Sequence, residues 1–289
     1  MVSTGNLQAF LKREMRFLPD VRIEQSFSVQ NRGHDFERHP ERTPIVINSF
    51  NRVTYLRSLV DALRSRGYEN IYVIDNASTY APLHEYYRRE GLKVFYLDTN
   101  VGYLALWRTR VWSEFSHNYY VYTDSDVVPV EECPQDFIAF MFALLKNIPP
   151  AGKVGFGLKI DDLPEENPLS AHVIAHERRF WADPVDENVY IAPVDTTFAL
   201  YRPRVSGGFW VPALRTGFPY VARHLPWYED PENPSEEIRF YQSEVKQKTH
   251  WTALSERTIR HWPPRSGLLP WSTVSALSPA EGAAEVGSR

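Results

Sequence analysis

Between Pro44 and Thr123 the chain repeats one unit: a short run of apolar, mostly β-branched or aromatic residues, a polar turn, then a segment with helical spacing. The runs fall at 44–50, 71–75, 93–97 and 119–123. A strand that is apolar at consecutive positions is buried on both faces, and strands joined through helices pair in parallel, because each helix must cross back over the sheet. The first crossover shows the pattern clearly. Leu56, Leu59, Val60 and Leu63 lie at i, i+3, i+4 and i+7, one stripe of a helix, and Gly67 follows as its C-terminal cap. A second helix is expected over about 82–90, ended by Gly91, and a third over 102–115. The fold expected is α/β, a Rossmann-like, mostly parallel central sheet flanked by helices. Ligands of such sheets bind at the carboxyl ends of the strands.

Beyond residue 130 the rhythm changes. A helix is expected over 137–145, a strand over 154–158, a long polar loop over 161–186 and a strand over 196–201. An aromatic, proline-broken stretch (209–228) then leads to a polar helix near 235–247. At 289 residues the chain reads as one large domain with additions at both ends. Residues 1–42 form an extension in which Leu7, Phe10, Leu11, Phe17 and Leu18 with Lys12, Arg13 and Arg16 make an imperfect amphipathic helix. Such a helix packs on the main domain, on a second copy of the chain, or on a membrane surface. Residues 43–150 and 151–266 are the two halves of the domain, and 267–289, rich in Ser, Ala, Pro, Gly and Glu, reads as a poorly ordered tail.

Composition removes several function classes. A net charge of −4 and no run of Lys and Arg interleaved with aromatics argue against nucleic acid. The single cysteine, Cys133, excludes an internal disulfide framework and a multi-cysteine zinc site, and is expected to be a semi-buried structural thiol. No apolar run reaches bilayer length. The expected location is cytoplasmic, with peripheral contact at the inner face of the membrane the alternative that the N-terminal helix offers.

Chemistry-bearing residues cluster at the ends of the four runs. Asp124-Ser125-Asp126 follows 119–123 and presents two hard oxygen ligands to Mn2+ or Mg2+, which would bridge them to a diphosphate. An Asp-x-Asp triplet is also a common solvated turn, and its position at a strand's carboxyl end is what raises it. Asp75, with Asn76 after it, ends the second run and either accepts a nucleobase N–H or caps its turn. Ser49, Asn51 and Arg52 end the first run in a loop able to wrap a nucleoside, although Arg52 could instead pair with a surface carboxylate. Asp98 to Gly102 lead into the third helix, where Gly102 would permit close backbone approach and Arg108 could reach phosphate.

In these residues, over about 43–130, the chain resembles the family-2-type glycosyltransferases of the nucleotide-diphospho-sugar transferase (GT-A) fold. The shared pattern is an opening strand with a polar loop, a strand ending Val-Ile-Asp-Asn-x-Ser, an Asn-x-Gly, and an Asp-x-Asp after an apolar strand. The resemblance implies base contact by Asp75, loop contact near Ser49 and Asn51, and metal-diphosphate binding by Asp126 with Asp124 beside it. It also implies a catalytic carboxylate in a Glu-Asp pair roughly a hundred residues further on. Glu229-Asp230 is the pair in that interval, with Asp230 preferred and Asp195 the alternative. His224, Trp227 and Tyr228 would then flank the acceptor, in an acceptor-side C-terminal region. A C-terminal histidine is implied as a further metal ligand, His261 in preference to His250, because 258–260 reads as a strand. His172 and His176 read as surface residues of a loop. The activity implied is transfer of a sugar from a nucleoside diphosphate, UDP first, to a hydroxyl of a glycan or glycolipid, with inversion. The alternatives are a nucleotidyltransferase of related fold and a non-catalytic carbohydrate-binding or assembly subunit.

Overall fold

The computed structural model describes residues 19–24, 26–31, 33–165, 167–208 and 211–245. The N-terminal amphipathic segment up to Leu18, His250, His261 and the tail lie outside the described residues.

The strands are β1 Val21–Arg22, β2 Ile45–Ser49, β3 Ile71–Asp75, β4 Lys93–Leu97, β5 Tyr120–Asp124, β6 Val127–Pro129, β7 Lys153–Leu158, β8 Pro184–Asp186, β9 Val189–Ile191, β10 Ala199–Tyr201 and β11 Ala213–His224. They form one sheet in the order β1-β4-β3-β2-β5-β10-β7-β11-β9-β8, with β6 on β11. Its central block, β4-β3-β2-β5, is wholly parallel, as the alternation implied. Outside it β10 runs antiparallel between β5 and β7, and β11 is parallel to β7. The two halves of the chain thus share one sheet.

The helices are α1 Val53–Arg64, α2 Ala81–Arg89, α3 Trp112–Phe115, α4 Phe137–Asn147, α5 Ser170–Glu177 and α6 Glu236–Glu244. Successive strand side chains point to opposite faces, and two cores result. Ile45, Ile47 and Val73 face α1, α2 and α4, whose Leu56, Leu59, Leu63, Leu83, Phe137 and Met141 pack against them. Val46, Tyr72 and Ile74 face Phe95, Leu106, Phe115, Tyr120, Tyr122 and Tyr201 on the other side. Leu56, Leu59, Val60 and Leu63 are all 0% exposed, and burying each such side chain is worth roughly 1.5–3 kcal/mol. α1 ends as its sequence dictates: Gly67, at φ +84, lets the Tyr68 N–H reach back to the Leu63 carbonyl at 3.1 Å.

Several local expectations are corrected. Residues 103–110 form turns, and only Trp112–Phe115 of the segment 102–115 is helical. The Trp107 ring packs 4.5 Å from Tyr122, and this packing overrides helical propensity. The loop over 161–186 holds α5, a 3-10 turn at Arg178–Trp181 and β8. His172 and His176 therefore sit on a helix, and His176 is bonded to Arg179 at 2.8 Å. Within the proline-broken stretch lies the twelve-residue strand β11, whose register against β7 shifts between Thr216 and Val221. Pro219 falls inside that irregularity, where no ladder N–H is needed. Cys133 is buried, and burial pushes its thiol up to about 12, which suits a structural residue.

Candidate active site

The register of the parallel block sets Asn48 beside Asp124 and Ser49 beside Asp75, so three strand ends meet at one edge. The loops leaving them are stitched together. The Asn51 side-chain oxygen accepts from the N–H groups of Thr79 and Tyr80 at 2.7 and 3.0 Å, and the Asn51 N–H donates to Ser78 Oγ at 3.0 Å. Asn51 and Ala77 both hold left-handed backbone, at φ 52 and 63, strain of the kind that accumulates around binding loops.

Asp75 is 1% exposed, and both its oxygens are engaged: Oδ1 accepts from the Ser78 N–H at 2.9 Å and Oδ2 from the Tyr87 hydroxyl at 2.8 Å. A carboxylate has further lone pairs, so base contact stays open to it, but its first duty is to shape the loop. Asn76 holds the next loop, taking the Val101 N–H at 2.8 Å and donating to the Gly102 carbonyl at 2.9 Å. Gly102, at φ +80, supplies the left-handed turn this needs. Arg108 is exposed and donates to the Val101 carbonyl at 2.7 Å, within reach of the same edge. Ser49 and Ser125 are buried, Ser125 donating its N–H to the Asn48 carbonyl at 3.1 Å.

The carboxylate pair differs sharply between its members. Asp124 accepts from Thr196 Oγ1 at 2.5 Å and from Asn48 Nδ2 at 3.2 Å. Burial, then the charge of Asp126, pushes its carboxyl up to about 8. Asp126 is 5% exposed and bound through Oδ2 by Arg52 at 2.7 Å, with His224 Nε2 at 3.7 Å. Burial would raise its carboxyl too, but Arg52 and then His224 outweigh that and hold it below the usual range. The Arg52 guanidinium lies 4.3 Å from the Tyr241 ring centroid and 5.0 Å from that of Tyr55.

Two observations bear on a metal ion. Asp126 Oδ1 is buried and has no hydrogen-bond partner, and a buried orphan acceptor next to a second carboxylate fits a cation. Among the described residues, however, no group of three or more His, Cys, Asp or Glu could hold one. Among the described residues, Asp126 and Asp124 are the ones that would hold it.

The expected catalytic and acceptor residues separate. Asp230 is fully exposed, and its oxygens accept from the Glu232 N–H at 2.9 Å and Asn233 Nδ2 at 2.7 Å, which lower its carboxyl. Asp195 is exposed beside Asp124 and adds to the charge that raises it. Trp227 is 2% exposed, its ring 4.6 Å from that of His224, and so it offers no open stacking face. Tyr228 donates to Asp162 at 2.6 Å. The His224 ring turns toward Asp126.

Glu229, the neighbour of Asp230, is half-buried, and its carboxyl feels the charges of Arg52 and Glu237. Burial, against the pull of Arg52 and with the help of Glu237, pushes it up to about 7. Asn167 Nδ2 fixes its backbone, donating to the carbonyls of Trp227 and Glu229, each at 3.1 Å. The Glu-Asp pair itself was the only signal for it. Which of two adjacent residues points inward in an irregular turn has no sequence periodicity.

Comparison with known families bears on this edge directly, since a family model described as "Glycosyl transferase family 2" matches residues 45–162, from β2 past the Asp-Ser-Asp triplet to the end of β7 and beyond. Residues 45–162 are thus similar to glycosyl transferase family 2. No curated protein matches the chain. Similar solved structures include glucosyl-3-phosphoglycerate synthase from Mycobacterium tuberculosis with phosphoglyceric acid, at 14% identity, 70% of this chain, 76% of that one and a TM-score of 0.40. The same enzyme with Mn2+ and UDP-glucose is 15% identical, over 75% of this chain and 79% of that one, at a TM-score of 0.40. A cytidylyltransferase from Leptospira borgpetersenii is 13% identical over 49% of this chain and 73% of that one, at a TM-score of 0.31. No helix among the described residues is long and apolar enough to cross a membrane.

Proposed function

We propose that this chain is a glycosyltransferase that moves a sugar from a nucleoside diphosphate, UDP, to a hydroxyl of a glycan or glycolipid, with inversion at the anomeric carbon. The observation that carries this reading is the buried, partnerless Asp126 Oδ1 beside Asp124, at the strand edge of the family-2 segment. Asp126 and Asp124 would hold Mn2+ or Mg2+, which supplies positive charge to the diphosphate as it leaves. Arg52, 2.7 Å from Asp126, is the chain's own cation at that place. Asp75, Asn51 and Ser49 shape the loops that receive the nucleoside, and Asn76 with Gly102 sets the adjoining loop toward Arg108.

Glu229 is the base in this reading. Its carboxylate takes the proton of the acceptor hydroxyl, the oxygen forms a bond to the anomeric carbon, and the carbon–oxygen bond to the diphosphate breaks with its electron pair leaving on UDP. A carboxyl raised to about 7 is suited to this, being ionised yet basic near neutrality. Asp195, exposed beside Asp124, is the alternative base, and Asp230 is assigned to its local turn. The test is thermal stability with UDP, with and without Mn2+, together with release of sugar from a UDP-sugar. The wild type should show Mn2+-dependent stabilisation by UDP, and Asp126→Asn should lose it. Equal stabilisation of both proteins would remove Asp126 from the donor site.

A further inference from the structure

α6 covers the loops at the carboxyl edge, outside the family-2 segment. Glu237, 7% exposed, receives the Thr54 N–H at 3.0 and 3.2 Å and the Thr54 hydroxyl at 3.1 Å. It thereby caps α1, whose own N-cap position, Arg52, makes no side-chain cap bond. Four residues on, Tyr241 lies over the Arg52 guanidinium at 4.3 Å and meets Phe50 edge-on at 6.0 Å, while Phe240 reaches Tyr80 at 5.0 Å. The groups that an anionic diphosphate would seek at this edge, the Thr54 N–H donor at a helix N-terminus and the Arg52 cation, are thus both contacted by one element of the chain itself.

That element is lightly attached. Of α6 only Glu237 and Ile238 are buried. The chain before it is anchored up to Glu229, through Asn167 and through Tyr228 on Asp162. Between anchor and helix lies Asp230-Pro231-Glu232-Asn233-Pro234-Ser235, where the Asp230 bonds close on Glu232 and Asn233 within the segment. Such a link lets the helix move as a body while both sides keep their structure. The acidic start of α6, Glu236 and Glu237, is also unfavourable beside a diphosphate.

We infer that α6 is a self-inhibitory latch, in which Glu237 and Tyr241 occupy Thr54 and Arg52 in place of the donor diphosphate, and that donor binding displaces it about a hinge at 230–235. This rests on the donor-site reading above. Loss of one latch contact shifts the balance between open and closed forms by roughly threefold to thirtyfold, the range spanned by a lost cap or a lost cation–π contact. The experiment measures UDP affinity in the presence of Mn2+, by calorimetry, for the wild type, Tyr241→Ala and Glu237→Gln, together with hydrogen exchange across α6 in the wild type with and without UDP. Tyr241→Ala leaves the cap of α1 in place, and the exchange measurement needs no variant. The latch predicts at least threefold tighter UDP binding by Tyr241→Ala and faster exchange of α6 amides when UDP is bound. Wild-type binding that is unchanged or weakened in the variants, or α6 amides protected by UDP, overturns the latch and makes α6 a lid closing over the nucleotide, leaving the donor site standing. Absence of UDP binding in the wild type and both variants overturns the donor site and the latch with it.

Discussion

Replacing Arg52 by Met keeps most of the side chain's length but removes the charge that Asp126 depends on. The pair is nearly enclosed, with N to O 2.7 Å and side chains 14% and 7% exposed. Removing one partner of a buried ion pair costs about 3–5 kcal/mol, because the other charge is left without compensation. Here His224 Nε2 already stands 3.7 Å from the same oxygen and can take up part of that charge. The expected loss therefore falls to or below the lower limit of that range, about 2–3 kcal/mol. At roughly 2–4 °C per kcal/mol for a domain of this order of size, the melting temperature should fall by about 4–12 °C. The assay is thermal unfolding at neutral pH across a Mn2+ titration. An ion on Asp126 and Asp124 would replace the missing charge, and a ligand at a hundred times its dissociation constant stabilises by about 2.7 kcal/mol. Arg52→Met should therefore gain more from Mn2+ than the wild type and recover most of its loss. A variant melting within about 1 °C of the wild type would refute the energetic weight given to the pair. Equal gains from Mn2+ in both proteins would refute a cation site shared with Arg52.

Three further substitutions test the assignments at the edge. Since Glu229 acts only when deprotonated and its carboxyl sits near 7, wild-type turnover should rise with pH through about 7, and Glu229→Gln should lose that limb with roughly a hundred- to ten-thousand-fold of kcat. Asp230→Asn, in contrast, should change kcat by less than about twofold; equal losses at the two positions would undo the choice between them. Asp75→Ala should raise the donor KM more than it lowers kcat, and should also destabilise the fold by about 1–3 kcal/mol, because the Tyr87 hydroxyl and the Ser78 N–H lose their acceptor. A collapse of kcat at constant KM would move Asp75 to the reacting centre.

What the sequence determined by itself was local or periodic. Buried strands and one-sided helices write their period into consecutive residues, so β2 to β5, α1 and α2 were legible, and so was the parallel order that packing between helices imposes. The Asp-Ser-Asp triplet and Asp75 were legible for a related reason: a residue at a strand's carboxyl end in such a sheet lies at the ligand edge whatever surrounds it. Tertiary structure decided the rest, because those facts depend on groups far apart in the chain. Trp107 abandoned a helical segment to pack on Tyr122, and Pro219 was carried inside β11 by an irregularity opposite β7. Glu237 caps a helix 183 positions earlier, and Arg52 chose Asp126 over a surface partner. Glu229 is half-buried and Asp230 exposed in a turn whose backbone Asn167 holds. Period reports only which face of an element is buried. Which charge meets which across the closed sheet is set by burial, where each carboxylate must find its counter-ion or give up its charge.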